Sequence, residues 1–279
     1  MSMQHSAASV VETTVGPLTV RRMGSGPPAI LWHSMFVDSE TFSPLVDELG
    51  RHRDLFLVDG PGHGSSPGPR RIYSLQDCAV AAIQILDGLQ LDSPVDWVGN
   101  AWGGHVGILV AQGWPGRCRT LTMIGTPAYP LSTAQRRKTA LLVALYRVLG
   151  PDRLSPLVVN ALVGSEKATE EEIAAAESVD QSFRRGDRQG KYWAMRSLML
   201  RRPDLRAVLE SQQVPTLMMA GRDDPMNDAQ EAARLASLMS RGGFKALPGG
   251  GHVAPLFVAA DELTQSVLDF WETLQPPGR

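Results

Sequence analysis

The sequence predicts an α/β protein: a mostly parallel, doubly wound sheet with a helical cap inserted late in the chain. Three observations carry that expectation. Short apolar runs alternate with helix-period segments from residue 29 to residue 124, the rhythm that strand–helix–strand crossovers impose. The alternation then stops, and residues 128–212 hold helical pattern without a strand. It resumes over residues 213–275. The expected division is a core of residues 10–127, a helical cap of 128–212 and a return to the core over 213–275.

Taken in order, residues 10–15 and 18–22 are β-type runs on either side of Gly16-Pro17, which reads as a hairpin turn. The glycines at Gly24-Ser25-Gly26 resemble a dinucleotide-binding turn only superficially, since no strand leads into a helix there. Residues 29–32 form an apolar strand running into His33-Ser34-Met35-Phe36. Residues 40–49 place Phe42, Leu45, Val46 and Leu49 on one helical face. A strand at 55–58 ends in Asp59-Gly60-Pro61-Gly62-His63-Gly64-Ser65-Ser66. The helix expected at 74–89 opens with Ser74 as cap and Asp77 in its first turn.

Strands follow at 95–98 and 120–124, with a helix over 105–113 between them. In the helical stretch, Ser132-x-x-Gln135 and Thr169-x-x-Glu172 are capping boxes, and 191–202 reads as a third helix. Gly186 to Lys191 hints at a phosphate loop, but Arg185 and Tyr192 stand where such a loop needs Gly and Ser or Thr. Strands at 214–220 and 244–247 and helices at 228–239 and 261–274 complete the pattern.

Bulk properties narrow the function. A net charge of -2 gives no reason to expect nucleic acid or an acidic membrane as partner. No apolar run approaches the roughly 18 residues of a membrane span, and residues 1–9 lack the pattern of a secretory signal. Cys78 and Cys118 have no metal-ligand or C-x-x-C spacing and read as buried free thiols of a cytoplasmic protein. Neither a metal nor another cofactor is expected.

The chemistry gathers at four landmarks. The first is Val98-Gly99-Asn100-Ala101-Trp102-Gly103-Gly104, a strand, a sharp turn and a helix start. Its glycines lie two before and two after Ala101, where flanking side chains would collide and the central residue is held strained above the sheet. The second is Gly221-Arg222-Asp223-Asp224, a carboxylate pair at a strand's end; the G-x-x-D spacing favours Asp224 over Asp223. The third is Gly249-Gly250-Gly251-His252, a flexible glycine loop delivering one histidine. The fourth is His33-Ser34-Met35, whose turn can expose backbone N–H groups. His33, His63 and His105 read as structural, and His5 and His52 as solvated.

With these residues in place, the chain resembles the α/β-hydrolase superfamily over residues 10–274, in the lidded branch with a G-N-S-x-G-G nucleophile elbow. That branch includes esterases, lactonases and carbon–carbon bond hydrolases. Asp59-Gly60-Pro61-Gly62-His63-Gly64-Ser65-Ser66 matches its D-x-P-G-x-G-x-S landmark. The resemblance implies a nucleophile position at Ala101, an acid at Asp224, a base at His252 and oxyanion N–H donors at Trp102 and Met35.

Two residues depart from the pattern. Ser34 replaces the usual glycine after His33, and Ala101 replaces serine. A deliberate Ser→Ala change fits Ala101 best, because a site without a nucleophile needs neither the strained apex nor the retained carboxylate–imidazole pair. At such an apex glycine costs less than alanine by about 1 kcal/mol. A natural alanine would make the chain a ligand binder or a cofactor-free lyase, oxygenase or cyclase. An aspartate apex, as in haloalkane dehalogenases and epoxide hydrolases, is a further parent. The expected partner is a small apolar ester or lactone, with a homodimer left open. The expected pocket residues are Ser34, Phe36, Tyr129, Leu131, Trp193, Met195 and Val253.

Overall fold

The computed structural model of the protein describes residues 8–165 and 167–273. His5, Leu274 and residue 275, at the edges of the sequence-based assignments, lie outside them. Eight strands form one sheet: β1 (Ser9–Val11), β2 (Leu18–Gly24), β3 (Pro28–Trp32), β4 (Asp54–Val58), β5 (Val95–Asn100), β6 (Cys118–Ile124), β7 (Thr216–Asp223) and β8 (Gly242–Gly250). Their order is β1-β2-β4-β3-β5-β6-β7-β8. β1 and β2 pair antiparallel, and β2 runs antiparallel to β4; every other pairing is parallel. The central strands β3, β4 and β5 are buried almost throughout, as a sheet covered on both faces requires.

The helices that cover it include α1 (Ser43–Leu49), α2 (Leu75–Gly88) and α3 (Trp102–Gly113). Ser74 and Asp77 close the capping box of α2 reciprocally. Between β6 and β7 lie α4 (Thr133–Leu149), α5 (Pro151–Val163), α6 (Glu170–Arg184), α7 (Arg188–Ala194) and α8 (Arg206–Glu210). After β7 come α9 (Ala229–Leu238), α10 (Pro255–Val258) and α11 (Ala260–Glu272). No described helix is long and apolar enough to cross a membrane.

Four local expectations need correction. The single helix over 40–49 is a 3₁₀ turn, Ser39–Phe42, followed by α1, because Pro44 sits in the first turn and starts a new helix. The helix over 191–202 is α7 continued by a π-helical stretch, Met195–Met199. The glycine loop before His252 is in part strand: β8 reaches Gly250, which pairs with Asp223 across a bulge. Helix α5 escaped the periodicity because Pro151 and Pro156 interrupt its pattern; Pro151 occupies the first turn, where its missing N–H costs nothing.

The junction between β5 and α3 is set by backbone contact. A β-carbon on Gly103 would drive into the Trp32 carbonyl oxygen, and one on Gly99 into the Gly103 backbone. The Gly103 N–H donates to His33 O at 3.1 Å, and the Trp97 indole N–H donates to Gly103 O at 2.9 Å. At Gly99 and Gly103 strand β3, strand β5 and helix α3 thus meet backbone to backbone.

Three histidines lock the loops above this junction. His33 Nδ1 donates to Ser34 O at 2.7 Å, and its Nε2 accepts from the Gly60 N–H at 2.9 Å. His63 Nδ1 donates to Pro61 O at 3.0 Å, and its Nε2 accepts from the Phe36 N–H at 3.2 Å. His105 Nε2 donates to Pro127 O at 2.8 Å. Each neutral tautomer is fixed by a carbonyl acceptor. Burial pushes the basicity of all three rings down: His63 well below its ordinary value, His105 to about 3.

Two predictions follow from this packing. Gly103→Ala lowers the unfolding free energy by about 3 kcal/mol, whereas Gly113→Ala, where a β-carbon meets nothing within 4 Å, raises it by about 0.5–1 kcal/mol. Urea unfolding reads both; equal midpoints for the two variants would remove the close approach. The second concerns pH. The unfolded chain takes up a proton on His105 below about 6.5 while the folded chain does so only near 3, so stability falls as pH drops through that window. His105→Gln makes the fall between pH 6 and 4 shallower by about 1 kcal/mol per unit; an unchanged slope would show that the ring is not held neutral.

Candidate active site

The turn after β5 carries a strained residue. Ala101 has φ 47° and ψ −99°, outside the regions an L-residue ordinarily occupies. Two bonds hold it there: the Ala101 N–H donates to Ile124 O at 2.8 Å, and Ala101 O accepts the His105 N–H at 3.1 Å. The first ties the turn to β6 and the second starts α3. The Ala101 methyl therefore points to the mouth of the C-terminal ends of the strands, only 4% exposed and lining a cavity.

His252 reaches the same cavity from the other side. Its Nδ1 stands 2.8 Å from Asp224 Oδ2, and both side chains are nearly sealed from solvent. The second carboxylate oxygen of Asp224 accepts the Met226 N–H at 2.8 Å, which fixes the acid's rotation. Asp223 is exposed, so of the two neighbouring carboxylates Asp224 is the one paired with the imidazole. The histidine's own backbone is anchored by α5, where Leu162 O accepts the N–H groups of His252 at 2.7 Å and Val253 at 2.9 Å. Asn100 adds a weaker tie, its Nδ2 donating to Ile124 O at 3.0 Å and reaching His252 O at 3.4 Å.

The cavity is small, about 80 Å³. Ser34, Met35, Phe36 and Trp102 form its floor beside Ala101 and His252, and Leu131 closes one side. Among the described residues the backbone N–H groups of Met35 and Trp102 donate to no protein acceptor. Phe36 sits at φ 77°, a second strained position, held by the His63 bond and by its ring packing edge-on against Phe183 of α6 at 5.5 Å.

Four expected pocket residues stand elsewhere. Tyr129 turns its hydroxyl to Met226 O and the Asp228 N–H, at 3.5 and 3.4 Å, and lies behind the cavity wall. Trp193 faces an outer groove with Tyr192, under the Arg196 guanidinium. Met195 is wholly inside the core, and Val253 is buried at the start of the turn into α10. Leu198, Met199 and Arg202, in and just after the π-helical stretch, line the cavity, whereas Trp193 and Met195 do not. Leu75, His105, Pro127 and Leu162 complete the lining and were not anticipated. Leu162 lies on α5, whose prolines break the helical period, and the spacing that puts His105 at the start of a helix does not say which way it faces.

Among the described residues no group of three His, Cys, Asp or Glu side chains could hold a metal ion. What the arrangement can do chemically is orient an imidazole by a carboxylate, beside two free backbone N–H groups and an alanine methyl, in a mostly apolar cavity.

Comparison with known proteins places this geometry in a family. The chain is 28% identical over 258 residues to a pimeloyl-[acyl-carrier protein] methyl ester esterase of Xanthomonas oryzae pv. oryzae, covering 89% of this chain and 96% of the relative. It is 27% identical over 199 residues to a poly(3-hydroxyalkanoate) depolymerase of Ectopseudomonas oleovorans, covering 71% and 69%. Among solved structures, a thermophilic esterase from Thermogutta terrifontis superimposes with a TM-score of 0.86 at 20% identity, over 97% of this chain and all of that one. An enol-lactonase from Burkholderia xenovorans LB400 superimposes with a TM-score of 0.79 at 21% identity, over 96% and 100%. The model of the alpha/beta hydrolase fold family matches residues 27–257, most of the chain, and with the strand order, the strained turn and the paired histidine it gives one result: this chain belongs to the α/β-hydrolase fold family.

Proposed function

We propose that this chain is the nucleophile-less form of a hydrolase that cleaves apolar carboxylic esters or lactones, with Ala101 at the place of a catalytic serine. The observation that carries the reading is the His252–Asp224 pair, 2.8 Å apart and buried, facing the same cavity as the strained Ala101. A strained alanine and a buried carboxylate–imidazole pair each cost stability, and a hydroxyl at position 101 gives both a use. The esterase and lactonase names among the relatives support the same substrate class.

With serine at position 101, the hydroxyl attacks the substrate carbonyl while His252 Nε2 takes its proton. Asp224 accepts from Nδ1, holding the tautomer and stabilising the imidazolium. The N–H groups of Trp102 and Met35 receive the oxyanion, and His252 returns the proton to the leaving alcohol. Water then releases the acyl group by the same sequence in reverse. The helices between β6 and β7 act as a lid, shutting water from the apolar cavity and selecting the substrate by shape.

Without the hydroxyl, the chain retains binding and loses nearly all turnover, a deficit on the order of 10⁶ in kcat. Ala101→Ser restores hydrolysis of nitrophenyl acyl esters, and His252→Ala in that background removes it again, both read from nitrophenolate release. A folded Ala101→Ser variant that stayed silent on short and long acyl esters and on lactones would overturn the proposal.

A further inference from the structure

The cavity holds one side chain that the chemistry above does not use. Arg202 follows the π-helical stretch and lines the cavity with Leu131 and Leu198, the only Arg, Lys, Asp or Glu to do so among the described residues. Its Nε is sealed from solvent and makes no hydrogen bond, and no carboxylate pairs with the guanidinium among the described residues. The face of Tyr129 lies under it at 5.8 Å, holding it by a cation–π contact that leaves its N–H donors unspent.

The rest of the molecule treats buried cations differently. At the opposite, N-terminal end of the strands, Asp96 accepts Arg53 at 2.7 Å and Arg119 at 2.8 Å, together with the Thr120 hydroxyl. At the corner after α6, the buried Lys191 donates to Ser182 O at 2.7 Å and Phe183 O at 2.8 Å. A guanidinium half-buried with its Nε sealed and unpaired gives up part of its hydration without a carboxylate to offset it, and burial pulls Arg202 below its ordinary basicity. Its charge also reaches across the cavity, helping to keep His105 neutral.

We infer that Arg202 is a subsite for an anionic group of the substrate, and that the ester or lactone bound here carries a carboxylate away from its reacting carbonyl. This rests on the ester reading above and narrows it from apolar esters to monoesters of dicarboxylic acids and lactones bearing a free acid. A carboxylate fits better than a phosphate. One guanidinium cancels one charge in a bidentate pair, whereas a dianion would leave a charge unpaired among Leu131, Leu198 and Met199. Leu131, Leu162 and Leu198 line the same cavity as Arg202 and His252 and offer apolar contact to a methylene spacer.

Binding to the alanine chain as it stands tests this without any turnover. Titration calorimetry compares the monomethyl ester of adipic acid with dimethyl adipate and with the corresponding phosphonate monoanion and dianion. The monoester binds about 10- to 100-fold more tightly than the diester, and Arg202→Met removes that ratio while leaving diester affinity in place, which also reports a folded cavity. Arg202→Lys keeps part of the ratio. Equal affinities for monoester and diester, or a ratio untouched by Arg202→Met, would overturn the inference; tighter phosphonate dianion binding would overturn the assignment to carboxylate. A silent Ala101→Ser variant that still discriminates by charge would sink the hydrolase reading alone.

Discussion

Strand β5, the turn at Ala101 and helix α3 fit together only because backbone meets backbone there. Gly103 lies against the Trp32 carbonyl and Gly99 against Gly103 itself, so neither position has room for a side chain. That contact fixes where α3 begins, and the start of α3 fixes the strained φ of Ala101 through the bonds to Ile124 O and the His105 N–H. The apex is then presented at the C-terminal ends of the strands, the place where parallel α/β sheets hold their ligands. Hydrogen bonds on both sides of the residue overdetermine its conformation, which is how an unfavourable dihedral persists.

The loops around the apex depend on it in turn. His33 and His63 each spend one nitrogen on a carbonyl and the other on a backbone N–H, and both rings stand against the Trp102 indole, at 5.4 and 5.2 Å. Neutral rings suit this enclosure, since a charged imidazolium there would lack an acceptor for its second proton. Asp59 adds a further tie by accepting the Ser39 and Ser65 N–H groups at 3.1 and 2.8 Å. The turn that exposes the Met35 N–H is therefore fixed from several directions.

The helices between β6 and β7 are fastened to this platform at one corner. Asp38 accepts the Ser182 hydroxyl at 3.0 Å and pairs with Arg185, and Asp187 accepts the Gly68 N–H at 3.1 Å while pairing with Arg70. Lys191, buried in the same corner, donates to the last carbonyls of α6, at Ser182 and Phe183. Phe36 meets Phe183 just above. At the far side α5 reaches down to hold the backbone of His252 through Leu162 O. The inserted helices thus do more than cover the cavity, because one of them positions the imidazole.

The sequence by itself determined the architecture and the apex. Alternating apolar runs must be buried strands, glycines on both sides of Ala101 allow one kind of turn, and the order of Ala101, Asp224 and His252 along the chain assigns each to a strand end. These are local properties of spacing and side-chain size. What only the tertiary structure decided depends on contacts between distant segments. Residue type chose Trp193 and Met195 where the fold brings Leu198, Met199 and Arg202, and periodicity cannot separate an α-helix from the π-helical stretch after Ala194. It gave no sign that α5 anchors His252, since prolines hid that helix. Spacing favoured Asp224 over Asp223, but it could not say that Arg202 lines a cavity without a carboxylate, because pairing is settled by what else is packed nearby.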